Sequence, residues 1–378
     1  MIGILRLAFK LLVNDKGKFA ALLLGITFAV FLTVFVTSMF AGLMRNASAT
    51  VINVGAKLWV IDRAVTSPAS SIPMPDYILD AVRSIDGVAY AVPIYSGTAL
   101  VKLRDGTYQA AAVVGLDDTS LFGRPELIEG DIAALYAENA FVVVKDAEYA
   151  KLGSPKIGTE FELNDHRGVI TGIARVPAST IFGTPTLYTT YTRAIRYIPS
   201  MRYTISYVLV EPKDPAAVPH IKAEVGRLGY DALTHDEFMA RTTSFYTFQT
   251  GLGINIMMMT VISFIVGLSI SGQMFYTFVV ENQERFGALK AIGAKGKTLV
   301  AMILCQTTFT ALIGYGLGAG LYTVMNVIAR LRMPDYPSRL TFTNLGLALG
   351  LVLMITALSS YIGVRKVLRV EPFTVFRS

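Results

Sequence analysis

The sequence predicts a membrane protein with four transmembrane α-helices plus an α+β two-lobed extracytoplasmic domain inserted between the first and second helices. Three observations predict it. The 378 residues are 53% hydrophobic and only 16% charged, against roughly 25% charged in ordinary globular domains. Four uncharged runs, Phe19–Met44, Thr242–Val280, Thr298–Ala329 and Leu340–Val364, each exceed the ~20 residues that cross a bilayer as a helix. The stretch Arg45–Gln249 between the first two has the short, turn-bounded strands of a folded domain.

The net charge of +7 invites a nucleic-acid reading until it is located. Arg45–Gln249 holds 19 Lys/Arg and 22 Asp/Glu, a net of −3. Met1–Lys18, Glu281–Lys297 and Arg365–Ser378 together hold 12 Lys/Arg and 4 Asp/Glu, a net of +8. The excess flanks the spans, where positive charge marks the cytoplasmic side. No basic face with interleaved aromatics appears, so nucleic acid is not expected as a partner. The single cysteine, Cys305, lies inside an apolar run, so no intrachain disulfide staples the external domain.

Taken in order, residues 1–18 (MIGILRLAFKLL onward) put Ile4, Leu5, Leu7, Ala8, Leu11 and Leu12 on one face, with Arg6 and Lys10 off it. This suits a cytoplasmic helix lying in the lipid interface. The run that follows, 19–44, is too long for the 7–15-residue core of a signal peptide, and an uncleaved anchor is expected. Residues 45–241 form the external domain. AKLWVI, AYAVPIYSGTALVKL and YQAAAVVGL read as strands, with a helix in MPDYILDAVRSIDG and a turn at RDGT. A second cluster, NAFVVVKDAEYAKLG, TEFEL and VITGIARV, marks an inserted β-rich lobe at about 120–180. The alternating YTISYVLVEP, a helix in PAAVPHIKAEVGRLG and YDALTHDEF return to the membrane.

Residues 242–280 carry no charge. One helix of that length would measure ~58 Å, about twice the hydrocarbon thickness. Its polar beginning, TTSFYTFQTG, is expected to project outside as a rigid stalk. The span 298–329 contains the pairs Gly314/Gly318 and Gly316/Gly320, spaced for close helix approach, which is expected against a neighbour, with packing inside the chain as the simpler reading. The external link 330–339 and the last span, 340–364, lead to a cytoplasmic tail, 365–378.

The loop 281–297, with Thr298 reading ENQERFGALKAIGAKGKT, is the candidate functional stretch. Phe286, Leu289 and Ile292 fall at i, i+3 and i+6 and are expected to share one side of a helix, with Gly293 and Gly296 breaking it. Glu281, Glu284, Arg285, Lys290, Lys295 and Lys297 supply its charge. An amphipathic helix gripping a cytoplasmic partner is the functional reading; a plain loop with its apolar side in the lipid interface is the simpler one.

Other chemistry is sparse. Gly296-Lys297-Thr298 ends like a phosphate-cradling loop, but Ala291 stands where the first glycine belongs and no buried strand precedes it. His166, His220 and His235 lack metal-ligand spacing. The spans contain no Asp, Glu, Lys, Arg or His, the groups that ion-coupled carriers place at mid-membrane. No catalytic residue, cofactor or metal is expected.

The layout of one span, an external domain of about 200 residues and three further spans, with ENQERFGALKAIGA after the second, resembles the FtsX-like permeases of ABC transporters, and more closely their MacB and DevC branch. Glu284, Arg285, Phe286, Gly287, Ala288, Leu289, Lys290, Ala291, Ile292, Gly293 and Ala294 occupy that family's loop motif, with Phe286 in place of its usual isoleucine. NAFVVVKDAEYAKLG, IGTEFELND and GVITGIARV resemble the smaller lobe of the MacB-type periplasmic domain. The resemblance implies a bacterial inner-membrane permease with no fused ATPase. A separate ATPase dimer would bind two permease copies, each through the coupling helix formed by Glu281, Glu284, Arg285, Phe286, Gly287, Leu289, Lys290, Ile292, Gly293 and Ala294. Motion would pass to the periplasmic domains and drive a small molecule, glycolipid or peptide through a membrane-fusion adaptor and an outer-membrane channel. Two relatives of the family imply alternatives: an FtsX-like scaffold controlling a cell-wall enzyme, or LolC-like extraction of lipoproteins.

Overall fold

The computed structural model describes residues 9, 16–181, 183–198, 204–333 and 336–368. The chain forms two compact units, one of them comprising Leu43–Leu252 with Met333–Pro337 and the other the apolar helices. Of the amphipathic segment expected at 1–18, only Phe9 and Lys16–Lys18 fall among the described residues, and the end of the tail, 369–378, lies outside them.

The chain begins with α1 (Lys16–Ala47) and a short α2 (Ala49–Val54), then β1 (Leu58–Ile61), α3 (Tyr77–Arg83), β2 (Val88–Lys102) and β3 (Tyr108–Leu116). There follow β4 (Glu126–Gly130), β5 (Ala140–Val144), β6 (Glu160–Leu163), β7 (His166–Arg175), β8 (Thr186–Thr190) and α4 (Tyr191–Tyr197). β9 (Tyr207–Pro212), α5 (Val218–Arg227), β10 (Asp231–Thr234) and α6 (His235–Phe248) complete this unit.

Its larger lobe is an antiparallel sheet in the order β10-β1-β9-β2, the arrangement of two interleaved βαβ units. Val60, Ile78, Val82, Val208, Ile221 and Val225 pack α3 and α5 onto one face. The other face is covered too. There Trp59 meets Tyr207 and Phe238 edge-on, both at 5.7 Å between ring centres. Covering both faces buries every residue of β1, which is why LWVI reads as a continuous apolar run without alternation.

The smaller lobe shares β2. The first half of that strand pairs with β9 and the second half, Tyr95–Lys102, with β3. From there pairing runs β3–β8, β8–β5, β5–β7, β7–β6 and back from β6 to β2. This is a closed six-stranded barrel, filled by Tyr95, Val113, Phe141, Val143, Leu163 and Leu187. The insertion is therefore wider than the expected 120–180. β3 and β8 lie outside those bounds, yet they belong to the ring because their parallel pairing joins Ala112 to Thr186.

The uninterrupted stalk helix expected over 242–280 is not formed. α6 ends at Phe248, and α7 (Leu252–Glu281) starts after a break. Gly251 adopts φ +75° there, and the Thr250 hydroxyl donates back to the Tyr246 carbonyl at 2.8 Å, so the backbone leaves the helical path.

The second unit contains α1, α7, α8 (Gln283–Ala291), α9 (Gly296–Arg332) and α10 (Phe342–Leu368). Among the described residues four helices are long and apolar enough to cross a membrane: Phe19–Ala47, Leu252–Glu281, Gly296–Arg332 and Phe342–Tyr361. α1 lies against both α7 and α9, and small residues make the approach possible. A Cβ at Gly25 would sit 2.4 Å from Ile270, one at Gly267 2.5 Å from Ala29, and one at Gly314 2.6 Å from Ile26.

Candidate functional site

α8 is a continuation of α7 with one bent residue between them. Asn282 adopts φ −95° and ψ 11°, yet the helical hydrogen bonds run through it. Its backbone N–H donates to the Phe278 carbonyl at 3.2 Å, and the Phe286 N–H donates to the Asn282 carbonyl at 3.0 Å. The side chain fixes the bend: Nδ2 donates to the Phe278 carbonyl at 2.8 Å, and Oδ1 accepts from Arg285 at 3.0 Å. An amide that competes for a backbone carbonyl bends a helix without ending it.

Phe286 is the anchor. It is fully buried among Leu22 of α1, Phe275, Phe278 and Val279 of α7, and Leu299, Met302 and Ile303 of α9. Leu289, Ala294 and Val364 of α10 close the cluster from the side. Residues of α1, α7, α9 and α10 therefore contribute to the cluster that seats the loop helix. The helix stops at Gly293, whose φ is +101°, and the Ala294 N–H donates to the Leu289 carbonyl at 2.9 Å, closing the end as a left-handed residue does. Lys295 then opens α9, its carbonyl accepting from Thr298 at 2.8 Å.

The structure separates the sequence-predicted site residues into two sets. Phe286 and Gly287 are buried, and Leu289 is half-buried against the same cluster. Glu281, Glu284, Arg285, Ala288, Ala291, Gly293, Lys295 and Lys297 are exposed, and Ile292 is 85% exposed. Lys290 and Ala294 are intermediate. The expected single apolar face is thus a correction. Six residues turn a helix by about 600°, so Ile292 lies about 120° around from Phe286. Gly296, expected as a breaker, is the first residue of α9. Asn282, which carries the bend, is not among the expected site residues, although an Asn at the end of an apolar helical run is a readable signal.

The paired glycines also divide. A Cβ at Gly318 would meet the Thr27 carbonyl at 2.6 Å and Val30 at 2.7 Å, so Gly314 and Gly318 seat α9 on α1 within the chain. That corrects the expectation that they face a neighbouring molecule. Gly316 and Gly320 have nothing within 4 Å of a built Cβ. At the far end of α9 the link that carries Arg330, Arg332 and Arg339 is tied down. Arg330 donates to the Ser338 carbonyl, whose side chain pairs with the Tyr322 hydroxyl. Arg339 N–H donates to the Ser38 carbonyl at 2.9 Å, and Asn344 bridges Ser38 Oγ and the Arg339 carbonyl. Among the described residues no cluster of His, Cys, Asp and Glu could hold a metal ion.

Comparison with known proteins agrees with this layout. The MacB-like periplasmic core domain matches residues 19–228, and the FtsX-like permease C-terminal domain matches 256–372. A protein described as a candidate hemin transport system permease, HrtB, from Staphylococcus haemolyticus is 26% identical over 119 residues, covering 32% of this chain and 32% of that protein. The chain is also similar to the extracellular domain of the noncanonic ABC-type transporter YknZ from Gram-positive bacteria, at 11% identity and TM-score 0.37, over 47% of this chain and 99% of that one. The periplasmic region of MacB from Actinobacillus actinomycetemcomitans matches at 12% identity and TM-score 0.37, over 49% and 91% respectively. The periplasmic-core match alone spans more than half of the sequence, and the chain belongs to the FtsX-like ABC transporter permeases that carry a MacB-like periplasmic core domain.

Proposed function

We propose that the chain is the mechanical transmission subunit of an ABC exporter, receiving motion at α8 from an ATPase on a separate chain and passing it through the helical bundle. One observation supports this above the rest: Phe286 seats α8 in a buried cluster built from α1, α7 and α9, with Val364 of α10 packed against it, while Asn282 keeps α8 continuous with α7. A push on the exposed side of α8 would load the whole bundle rather than a loose loop. The exposed Glu284, Arg285, Ala288 and Ile292 are the proposed contacts to the ATPase, and Glu281, Gly293 and Lys290 border them. The working assembly is two permease copies and an ATPase dimer in a bacterial inner membrane, with both termini and α8 cytoplasmic. The domain around 45–241 would act outside, against an adaptor and an outer-membrane channel. The partial relative's name adds hemin to the cargo classes to test.

The test is ATPase stimulation by the permease reconstituted in nanodiscs. Ala288→Glu combined with Ile292→Asp, both at exposed positions, is expected to weaken ATPase association about tenfold or more, as removal of a central contact does, while the unfolding midpoint stays unchanged. Unaltered stimulation by this variant would remove α8 as the coupling element.

A further inference from the structure

The mouth of the six-stranded barrel holds a cavity of about 380 Å³, within the range of small-molecule sites, which favour barrel mouths. Val101, Leu152, Phe161, Ile170 and Leu187 make its walls apolar. Its rim is charged, carrying Arg104, Asp105, Lys156 and Glu160. The two acids are already engaged. Asp105 accepts from the Thr107 N–H and hydroxyl, at 2.9 and 2.6 Å, and the hydroxyl contact, then the N–H, hold its carboxyl below the usual range. Glu160 pairs with Arg167. Among the described residues neither the Arg104 guanidinium nor the Lys156 ammonium has a hydrogen bond or ion pair. The rim therefore offers two uncommitted cations above an apolar slot.

The wall bearing Lys156 is also fixed in advance. The Lys156 N–H donates to Thr159 Oγ1 at 2.9 Å, the Gly158 N–H to the Ile170 carbonyl at 2.7 Å, and the Ile170 N–H to the Thr159 carbonyl at 2.9 Å. The Tyr149 hydroxyl donates to the Pro155 carbonyl from beneath. A site whose wall is already ordered does not spend binding energy on ordering it.

We propose that this cavity binds a small amphiphile with one anionic head group, its apolar body in the barrel mouth and its head between Arg104 and Lys156. The assignment stands on the barrel alone and does not depend on the transmission role of α8. The probe is dansyl-aminoundecanoate, titrated by fluorescence into the full chain held in amphipol, with its methyl ester as the uncharged control. Saturable binding of the acid is expected, with the ester clearly weaker. Arg104→Glu with Lys156→Glu alters only exposed side chains and is expected to weaken the acid about tenfold or more, since charge-assisted contacts carry the head. Leu103→Trp, at a half-buried residue of the same cavity, fills the slot and is expected to abolish binding while the chain still unfolds in one cooperative transition. Displacement by laurate or by dodecyl phosphate then identifies the head as a carboxylate or a phosphate. The absence of saturable binding, equal binding by the charge-reversed chain, or displacement by neither competitor overturns the proposal.

Discussion

Phe286 and Ile292 are six positions apart and have opposite environments, one fully buried and the other 85% exposed. Their replacement should separate accordingly. Phe286→Ala removes a ring that several helices enclose and should cost about 3–5 kcal/mol, as large-to-small changes in a packed core do. Ile292→Ala should stay within about 0.5 kcal/mol, as surface changes do. Thermal unfolding of the two purified variants in the same detergent checks this, and equal losses would refute the anchor role. Phe286→Asp would unseat α8, so its failure to couple would not identify a contact to a partner. The sequence shows that these residues are apolar and that a helix carries them. It does not show which side faces inward, because the residues enclosing Phe286 come from helices far apart in the chain. Glu237 is a more local case. Its carboxylate accepts from Lys222 and from the Thr234 N–H, while the Thr234 hydroxyl accepts from the Glu237 N–H at 3.3 Å. Lys222 first, and then the Thr234 N–H, hold the Glu237 carboxyl below its ordinary value of 4.5. A depressed folded value means that the ionised form stabilises the fold above about pH 4.5 and that this contribution fades as pH falls through the folded value. Thr234→Ala should cost about 1 kcal/mol at neutral pH. Glu237→Gln should lower the melting point there and converge on the wild type in acid. A constant offset across the titration would contradict the charge pairing.

At the scale of elements, α9 presents two glycine pairs with different duties. Gly318→Leu drives a side chain into the Thr27 carbonyl and Val30 of α1 and should destabilise by about 1–3 kcal/mol, the usual range for overpacking. Gly320→Leu meets open space and should be neutral. Unfolding midpoints of the two variants test the assignment, and a tolerated Gly318→Leu would mean that α9 does not rest on α1 there. Both pairs fit one pattern in the sequence, since spacing reports which residues share a helix face and not what lies opposite. The same limit applies to the strands. NAFVVV, TEFEL and VITGIARV are legible as β segments from composition and turns. Closure of the barrel rests on Val101 facing Leu163 and Lys102 facing Glu162, pairings some sixty residues apart that no local pattern contains. The break after α6 was legible in Gln249-Thr250-Gly251, a polar pair and a glycine at a helix end. Absence of charge sets the length of an apolar run but does not show where its helix breaks.

At the scale of the whole molecule, the proposed orientation rests on where charge is placed. The Arg45–Gln249 stretch is net negative, while the segments flanking the spans are net positive, and the cost of moving lysine and arginine across the bilayer favours keeping those segments inside. The link with Arg330, Arg332 and Arg339 runs against the rule, but Arg330 is engaged by the Ser338 carbonyl, and α9 and α10 hold the link at both ends. The lone Cys305 makes the orientation measurable. In a Cys305→Ala background, a cysteine at the exposed Glu138 of the barrel lobe should react with a membrane-impermeant maleimide on intact spheroplasts. A cysteine at the exposed Lys295, beside α8, should react only after lysis. The reverse pattern would place α8 beyond reach of any cytoplasmic ATPase. The same buried Phe286 would then hold an external loop, and force would have to enter the bundle elsewhere.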